Sequence, residues 1–481
     1  MAKAEVHDRP PIGLKLVHLD LKGAPPRIVY LAQLFPLFSR LGANALLLEY
    51  EDMFPYEGSL EILRAKHAYS PSEIRELLDL AQSNGLEVIP LVQTFGHMEF
   101  VLKHKQFSHL REVKWSPNAL NPHRPESLQL IHTMTEQVLG LHPGARWLHI
   151  GADEVYFLGE GEESQRWLSS SDRLLDSLFV SHVVKVAEQL RSFHPAVKPV
   201  MWDDMLRSMS ADFLSESGIG QLVEPMVWDY LPNLDVEKTV LLIDKYQKGG
   251  LTKLWFASSF KGSTEVNQCL TCIRNHLDNH TQWLQVVKAL TRGAVQLQGI
   301  ALTGWQRYDH FSVLCELLPV AIPSLAACLQ TLQHGSFTEE AEQTLKQSLG
   351  ISAVEVDTFI REDFGSFPGC EVARLVTQVS GYLKVTGDEL LEGNRFVVGW
   401  FSPYHRKHKF THPIMVQHFE PEAKGLLLRW ERVLDELRAA LSQIYYPDTV
   451  EEWLQENVSP TLDRLQGLVQ DLNKTLQGQE D

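Results

Sequence analysis

Eight short apolar segments alternate with segments of helical periodicity over residues 12–335, and this alternation restricts the fold more than any other feature of the chain. Short runs of apolar or alternating residues are typical of buried strands, whereas the segments between them have the three-to-four-residue period of amphipathic helices. The predicted strands span residues 13–21, 43–50, 87–94, 147–150, 199–202, 222–228, 254–257 and 299–303. The pattern predicts an α/β fold, a (β/α)8 TIM barrel.

The pattern changes after Pro323, where strand-like runs give way to helical periodicity. Residues 338–390, 416–446 and 449–477 have this periodicity, and residues 394–411 have the character of an irregular aromatic insertion. We therefore predict three parts: an N-terminal tail at 1–11, the catalytic barrel at 12–335 and a C-terminal α-helical region at 336–481 packed on the barrel. The last barrel helix before the eighth strand is predicted at residues 280–292.

The fourth predicted strand is followed by two carboxylates, Asp153 and Glu154, after a turn at Gly151 and Ala152. Barrel enzymes keep their chemistry at the C-terminal ends of the strands, and these residues lie at such an end. The pair could equally be solvated acids that cap a strand, because 61 of the 481 residues are acidic. Their position makes them the first candidates for catalysis.

A glycosidase that uses two carboxylates, an acid and a nucleophile about 5 Å apart, fits these residues poorly. In one large group of barrel glycosidases the nucleophile follows strand seven, but here that strand is followed by Ser258, Ser259 and Phe260. Adjacent residues such as Asp153 and Glu154 tend to point in different directions, so they are unsuited to flank one bond. A substrate whose own 2-acetamido group attacks the anomeric carbon needs only one acid and a carboxylate that orients the amide.

Four strand ends carry motifs that resemble those of one enzyme family. Residues 149–154, His-Ile-Gly-Ala-Asp-Glu, resemble the His-x-Gly-Gly/Ala-Asp-Glu motif of the family 20 β-N-acetylhexosaminidases. Gly96-His97 matches the family's Pro-Gly-His, with Phe95 in place of the proline. Trp202-Asp203-Asp204 resembles its Trp-x-Asp, and Gly304-Trp305 matches a pocket tryptophan. The motifs occur in the family's order and on the corresponding strands.

The resemblance implies a retaining, substrate-assisted glycosidase that releases terminal, non-reducing β-linked GalNAc or GlcNAc from glycoconjugates. It implies that Glu154 is the general acid and then the general base for water. It also implies that Asp153 holds the acetamide and the positive charge that develops on it. No cofactor and no metal are expected.

The same resemblance predicts the residues that bind the sugar. They are Asp20, His97, His149, Trp202, Trp228, Tyr230 and Trp305. The tryptophans would form apolar walls, since aromatic faces suit the C–H surfaces of a pyranose ring. Tyr230 would donate to the acetamide oxygen, the two histidines would orient the carboxylates, and Asp20 would bind a sugar hydroxyl.

The chain also departs from the family pattern. Lysosomal relatives carry a sugar-binding arginine in strand one, where this chain offers Lys15, Asp20 and Lys22. The Trp-x-Glu that follows strand eight in those relatives is Trp305-Gln306-Arg307 here. Their Tyr-x-Asp is absent as such, and Trp228-Asp229-Tyr230 takes its place. These differences concern recognition of the hydroxyls at C3, C4 and C6.

Two other functions remain open from the residues alone. A metal-dependent barrel hydrolase could use His97, His149, Asp153 and Asp204. Such enzymes usually carry His-x-His after strand one, whereas this chain has His18-Leu19-Asp20. A non-catalytic carbohydrate-binding barrel would keep the tryptophans but would have no need for the Asp-Glu pair.

Composition restricts the partners and the compartment. A net charge of −17 argues against nucleic acid and anionic membrane surfaces as partners. No apolar run of about 18 residues predicts a membrane span, and residues 1–12 lack the apolar stretch of a signal peptide. Five cysteines suit a reducing compartment, so we expect the cytoplasm and also the nucleus. Cys269 and Cys272 are interpreted as structural thiols on a helix. A sugar substrate is the expected partner, and a homodimer is compatible with the sequence.

Overall fold

Eight parallel strands close into a barrel in the computed structural model, which describes residues 12–170, 174–290 and 295–477. The strands are β1 (Leu14–Asp20), β2 (Ala45–Glu49), β3 (Glu87–Leu91), β4 (Trp147–His149), β5 (Lys198–Trp202), β6 (Glu224–Trp228), β7 (Lys253–Lys261) and β8 (Gln296–Gly304). Each strand pairs with the next along the chain, and β8 returns to β1, with Leu14 opposite Gly299 and Val17 opposite Leu302. The predicted TIM barrel is confirmed.

Ten helices of the described residues belong to the barrel and its loops. They are α1 (Ile28–Arg40), α2 (Pro71–Ser83), α3 (Glu99–Leu102), α4 (Pro125–Leu141), α5 (Glu162–Ser169), α6 (Leu175–Phe193), α7 (Ala211–Ser217), α8 (Val236–Lys248), α9 (Ile273–Ala289) and α10 (Leu318–His334). The first turn of α2 gives an example of how the local sequence begins a helix. The Ser70 hydroxyl accepts from the Glu73 N–H, and the Glu73 carboxylate accepts from the Ser70 N–H, a capping box worth about 1 kcal/mol.

The interior of the barrel is filled by side chains from alternate positions of its strands, as the fold requires. Trp147 and Trp255 meet there at 5.3 Å between ring centroids, and both indole N–H groups donate to Glu224 Oε2. Trp202 lies in the same cluster, with its ring toward the C-terminal end of the barrel. The packed interior therefore forms the floor on which the functional site rests.

Nine further helices follow the barrel. They are α11 (Glu339–Leu349), α12 (Cys370–Thr377), α13 (Lys384–Asp388), α14 (Arg395–Trp400), α15 (Pro403–Lys407), α16 (Pro413–Val416), α17 (Glu420–Ile444), α18 (Pro447–Asn457) and α19 (Ser459–Gln477). Two π-helical segments, Gln378–Leu383 and Glu389–Gly393, join α12, α13 and α14. The predicted C-terminal helices are confirmed, while the division at residue 335 stays a prediction and residues 1–11 lie outside the described chain.

The C-terminal helices contact three places on the barrel: the loop after β1, the residue before α1 and the first turn of α2. The Arg27 N–H donates to the Ile444 carbonyl at 2.7 Å, and the Thr449 hydroxyl donates to the Gly23 carbonyl at 2.8 Å. The Tyr446 hydroxyl donates to Glu73 at 2.7 Å. These helices therefore reach the carboxyl end of the barrel, where the strand-end residues lie. None of the helices in the described ranges has the length and apolarity that a membrane crossing needs.

The bounds of several elements differ from the sequence predictions. Ser258, Ser259 and Phe260 lie inside β7 instead of after it, because histidines of α9 satisfy the two hydroxyls, with 2.7 Å between Ser258 Oγ and His280 Nε2. The helix predicted at 280–292 begins earlier, at Ile273, and residues 291–292 lie outside the described chain. The helix predicted across 338–390 is interrupted between α11 and α12, where glycines adopt positive φ.

The prediction that Cys269 and Cys272 lie on a helix is wrong. Cys272 precedes the first turn of α9 with extended backbone angles, φ −87° and ψ 114°, and Cys269 lies in the loop before it. Both thiols are free.

Candidate active site

The backbone after β4 makes a tight turn of unusual conformation. Gly151, Ala152 and Glu154 have φ values of 65°, 67° and 43°. A Cβ atom on Gly151 would lie 1.9 Å from Gln93 Oε1, so a larger residue at this positive φ would be strained and would displace the Gln93 side chain. Residues other than glycine rarely adopt positive φ, and where they do, the strain often marks a functional site.

Three polar contacts hold the turn in place. The Gly151 N–H donates to His149 Nδ1 at 3.0 Å, and the Ala152 N–H donates to Gln93 Oε1 at 3.3 Å. The Glu154 N–H donates to Asp204 Oδ2 at 2.9 Å. Residues at or just after the ends of β3, β4 and β5 therefore fix the direction in which Asp153 and Glu154 leave the barrel.

One imidazole contacts both predicted catalytic carboxylates. His97 Nε2 lies 3.0 Å from Glu154 Oε2 and 3.4 Å from Asp153 Oδ2. Burial lowers the pKa of His97, but the charge of Asp153 and the hydrogen bonds to both carboxylates raise it well above its ordinary value. The imidazolium form of His97 is therefore favoured, and its Nε2–H lies within reach of both carboxylates.

Asp153 is the more enclosed of the two carboxylates. Its Oδ1 accepts from Gln93 Nε2 at 3.0 Å, and its other oxygen faces His97. Burial acts to raise the pKa of Asp153, but the charge and hydrogen bond of His97 lower it below its ordinary value. Asp153 is therefore an anion inside the site, while Glu154 is partly exposed to the cavity.

Aromatic side chains enclose the cavity beside these carboxylates, which has a volume of about 390 Å³. The rings of Trp202 and Trp305 are 5.8 Å apart, and Tyr230 stacks on Trp228 at 5.2 Å. Tyr230 also meets Trp305 edge to face at 6.4 Å. This size, with apolar walls and a few polar groups, is that of a small-molecule site.

Seven of the nine predicted site residues line this cavity. They are His97, Asp153, Glu154, Trp202, Trp228, Tyr230 and Trp305. The five strand ends that carry them lie far apart in the sequence, and the closed barrel brings them to one rim.

The other two predicted residues lie behind the cavity wall. Asp20 accepts from the Gln306 N–H at 2.8 Å and from Lys22 Nζ at 3.0 Å, so its oxygens are held by the protein. His149 is fully buried, with its ring 4.4 Å from that of Trp202. Burial lowers the pKa of His149 to about 3, so this imidazole is neutral and supports the turn through its contact with Gly151.

Lys22 and Glu49 form a polar wall of the cavity that the predicted site did not include. Lys22 Nζ lies 3.1 Å from Glu49 Oε1 and 5.1 Å from the centre of the Trp305 ring. Burial acts to lower the pKa of Lys22, but the charges of Asp20 and Glu49 raise it well above its ordinary value. Glu49 could have been found by the same rule that singled out Asp153, since it is the last residue of β2.

Asp204 and Gln93 are further positioning residues. Besides holding the Glu154 amide, Asp204 accepts from the Trp228 indole N–H at 3.3 Å. Burial and the charge of Asp153 raise the pKa of Asp204 to about 7. The sequence named Asp204 only through the Trp-x-Asp resemblance and as a metal ligand, and it gave no signal for Gln93.

The loops after β7 and β8 complete the rim. Residues 262–266, Arg307 and Tyr308 line the cavity. Lys261 Nζ donates to the Trp305 carbonyl at 2.7 Å, and Arg307 pairs with Glu452 of α18 at 2.6 Å. A C-terminal helix is therefore bonded to a side chain of the cavity.

Of the four residues that a metal-dependent hydrolase would use, two come together. His97 and Asp153 form a group with Glu154 in which one donor atom from each lies within 4.8 Å of the others. His149 turns its Nδ1 to the Gly151 amide, and Asp204 turns a carboxylate oxygen to the Glu154 amide. The arrangement thus serves the carboxylate pair better than a four-ligand metal centre.

The chain matches known proteins over this same region. A family model described as the catalytic domain of glycosyl hydrolase family 20 matches residues 42–236, which include the ends of β2 to β6. The chain is 58% identical over 464 residues to human Hexosaminidase D, covering 96% of this chain and 95% of that protein. It is 60% identical over 348 residues to Hexosaminidase D of Bos taurus, covering 72% of this chain and all of that protein.

A solved structure shares the fold. It is the family 20 exo-β-N-acetylglucosaminidase from Vibrio harveyi in complex with N-acetylglucosamine, with a TM-score of 0.52 and 16% identity. The match covers 71% of this chain and 58% of that longer chain. With the carboxylate pair at the end of β4 and relatives matched along nearly its whole length, the chain belongs to glycosyl hydrolase family 20 and is a glycosidase of the β-hexosaminidase type.

Proposed function

We propose that this enzyme hydrolyses terminal, non-reducing β-linked GalNAc or GlcNAc with retention of configuration, and that the acetamide of the substrate is the nucleophile. The observation that carries the proposal is that the two adjacent carboxylates have different environments. Asp153 is an enclosed anion bound by His97 and Gln93, and Glu154 faces the cavity. These are the two environments that an amide-orienting carboxylate and a proton donor need.

In the first step, the acetamide N–H donates to Asp153 and the acetamide oxygen attacks C1. Glu154 gives its proton to the glycosidic oxygen as the C1–O bond breaks, so the leaving group departs as an alcohol. The positive charge of the cyclised oxazolinium lies beside the Asp153 carboxylate. In the second step, Glu154 takes a proton from water, the water oxygen attacks C1, and the acetamide reopens.

The aromatic walls suit the non-reacting parts of the sugar. Trp202, Trp228 and Trp305 give an apolar surface for the acetyl methyl group and for one face of the ring. Tyr230, stacked on Trp228, is assigned the hydrogen bond to the acetamide oxygen. Such groups hold the amide near C1, which reduces the entropy lost on reaching the transition state.

We assign the sugar hydroxyls to Lys22 and Glu49, in place of the predicted Asp20. An ammonium group has three N–H bonds. In Lys22, one of them bonds Asp20, a second bonds Glu49, and the third is available for a ligand. Glu49 offers acceptor lone pairs beside it. Asp20 then acts through Lys22, which it holds at the cavity wall.

Glu49 is also the carboxylate that a two-carboxylate mechanism would recruit. Its two oxygens face Lys22 Nζ at 3.1 Å and His18 Nε2 at 3.0 Å. The charge of Lys22 and the hydrogen bond of His18 outweigh burial and lower the pKa of Glu49. A carboxylate held by two cationic or donor groups is a weak nucleophile, so the acetamide is favoured.

The experiment compares aryl β-GalNAc and β-GlcNAc with the aryl galactoside and glucoside that carry a hydroxyl at C2. We expect turnover of the N-acetyl substrates, no turnover of the others, and strong inhibition by a thiazoline that mimics the cyclised acetamide. Equal hydrolysis of glycosides with and without the acetamide would refute the proposal. The predicted cytoplasmic and nuclear location and the homodimer stay predictions.

A further inference from the structure

One segment of the C-terminal helices carries a charge opposite to that of the whole protein. Residues 394–419, which contain α14, α15 and α16, include four lysine or arginine residues and four histidines but no aspartate or glutamate. The chain as a whole has a net charge of −17, which argues against an anionic partner for most of its surface. In physiological salt, exposed charges more than about 10 Å apart are largely screened, so this segment acts as a local positive surface.

Most of the positive charges of this segment are unpaired. Arg406 lies 3.4 Å from Asp471 of α19. Arg395, Lys407 and Lys409 are exposed and form no ion pair with another residue in the described ranges. These three side chains are therefore free to meet an anionic partner.

The acidic side chains at the two ends of the segment have partners of their own. Glu392, which precedes the segment, accepts from Arg464 of α19 at 2.8 Å. Glu420, which follows it, accepts from Lys424 one turn later in α17 at 2.7 Å. Because each of these carboxylates is compensated by its own cation, they do not neutralise the segment between them.

Large apolar side chains lie exposed among these cations. Phe410 is 72% exposed and Ile414 is 62% exposed, and Val398 and Tyr404 are exposed as well. The Phe410 ring stacks on that of His405 at 5.6 Å, which holds it at the surface. Single exposed apolar residues are ordinary, but several within one short basic segment indicate a binding surface.

The inner side of the same segment is packed in the core, where Val416 and Phe419 are fully buried. At the end of α15 the Phe410 N–H donates to the His405 carbonyl at 2.9 Å, and Lys409 has a φ of 54°. A helix end of this kind favours glycine, so a lysine there costs conformational energy. The exposed side is therefore a defined surface on a packed support.

We propose that residues 394–419 bind an anionic lipid surface, with the lysines at the level of the headgroups and with Phe410 and Ile414 at the boundary of the acyl chains. Basic residues beside large apolar ones on short helices are the combination that a membrane interface accommodates. The methylene chains of the lysines can extend from the apolar boundary to the headgroups. Such binding is independent of the reaction in the barrel.

Two other partners fit this surface less well. A second copy of the chain, in a symmetric contact, would bring the basic surface against itself, and like charges in contact disfavour association. Nucleic acid would pair its phosphates with the lysines, but it would leave Ile414 and Val398 without apolar contacts. A lipid surface satisfies both kinds of side chain.

The test measures flotation of the protein with vesicles of phosphatidylcholine that contain about 30% phosphatidylserine, and with vesicles of phosphatidylcholine alone. We expect binding to the anionic vesicles that weakens as salt rises, and little binding to the neutral vesicles. Lys407→Gln with Lys409→Gln should weaken binding by about twentyfold, since each basic residue near such a surface adds roughly fivefold. Phe410→Ala with Ile414→Ala should weaken it by about tenfold.

The controls make the same changes elsewhere on the protein. Lys253→Gln with Lys288→Gln removes two exposed lysines of the barrel, and Leu241→Ala removes an exposed leucine of α8. Both controls should bind anionic vesicles as wild type does. Every variant should keep the wild-type melting temperature and the wild-type rate on an aryl N-acetylhexosaminide.

Three results would overturn the proposal. The first is wild-type affinity for anionic vesicles in both surface variants, or equal losses in the controls. The second is equal binding to neutral and anionic vesicles, because the free cations would then contribute nothing. The third is binding to a DNA duplex without binding to anionic vesicles, which would assign the surface to nucleic acid instead.

Discussion

The backbone N–H of Glu154 donates to Asp204 Oδ2 at 2.9 Å, so the residue that we propose as the catalytic acid, just after β4, is bound to a carboxylate just after β5. Burial and the charge of Asp153 raise the pKa of that carboxylate to about 7 from 3.8. The folded protein therefore binds the Asp204 proton more tightly than the unfolded chain does. This contribution to stability is present below pH 4 and is lost as the pH rises toward 7.

Asp204→Asn should remove the loss of stability that accompanies the rise in pH. The amide oxygen can still accept from the Glu154 N–H, but no charge forms at this position. The free energy of unfolding of the variant, relative to wild type, should rise between pH 4 and pH 8 by on the order of 4 kcal/mol. Urea denaturation at several pH values measures it. A difference that does not vary with pH would contradict the assignment.

Glu154→Gln should lower kcat for a β-N-acetylhexosaminide by about 10²–10⁴-fold, because the amide cannot protonate the leaving oxygen. Substrate binding should change little, since only an interaction of the transition state is lost. Steady-state kinetics and calorimetry of substrate binding check the two parts. Glu162→Gln, on the exposed start of α5, is the control. Retention of full kcat would assign the proton to another group.

Asp153→Asn should weaken binding of a thiazoline inhibitor by about 10²-fold, because the carboxylate no longer faces the cyclised amide. It should also lower the pKa of His97, since the charge of Asp153 helps to raise that pKa. Inhibition constants measure the first effect, and NMR titration of the imidazole measures the second. A His97 pKa that stays at the wild-type value would mean that Asp153 does not control it.

Glu49→Gln should lower kcat/KM for both aryl N-acetylhexosaminides by about tenfold and change the ratio between them. The reason is that GalNAc and GlcNAc differ only at C4, and Glu49 with Lys22 forms the polar wall assigned to the hydroxyls. Glu57→Gln, at an exposed position beyond β2, is the control. An unchanged ratio with equal losses would place the C4 hydroxyl elsewhere.

Glu452→Gln should raise KM several-fold and leave kcat nearly unchanged, because it releases Arg307, which lines the cavity. Glu451→Gln is a close control, since Glu451 lies beside it on α18 but pairs with Arg438 of the C-terminal helices. Steady-state kinetics with one aryl substrate compare the two variants. Equal effects of both would mean that the pair with Arg307 does not shape the cavity.

The sequence predicts those parts of the site that depend on strand ends. A buried parallel strand reads as a continuous apolar run, and its end is marked by the first polar residues, so Asp153 and Glu154 could be found. The family resemblance adds His97 and all of the aromatic walls, including Trp305. Asp20 is predicted as a polar residue of strand one, where relatives carry a sugar-binding arginine, but its oxygens face Lys22 and Gln306 within the protein.

The contacts that the sequence could not predict join distant segments. Gln93 meets Asp153 across 60 positions, and Arg307 meets Glu452 across 145 positions. Polar residues inside β7 were read as a strand end because their partners, His276 and His280, lie on a helix later in the chain. Such pairings depend on closure of the barrel, which no local pattern encodes.

The contacts of α18 decide how this enzyme can be shortened. Its Thr449 hydroxyl bonds the Gly23 carbonyl in the loop after β1, and its Glu452 carboxylate bonds Arg307 in the loop after β8. Because β1 and β8 are the strands that close the barrel, α18 connects the loops on the two sides of that closure. A recombinant fragment that ends at residue 335 would keep every strand but lose both contacts of α18. The shortest fragment that retains these contacts extends through α18.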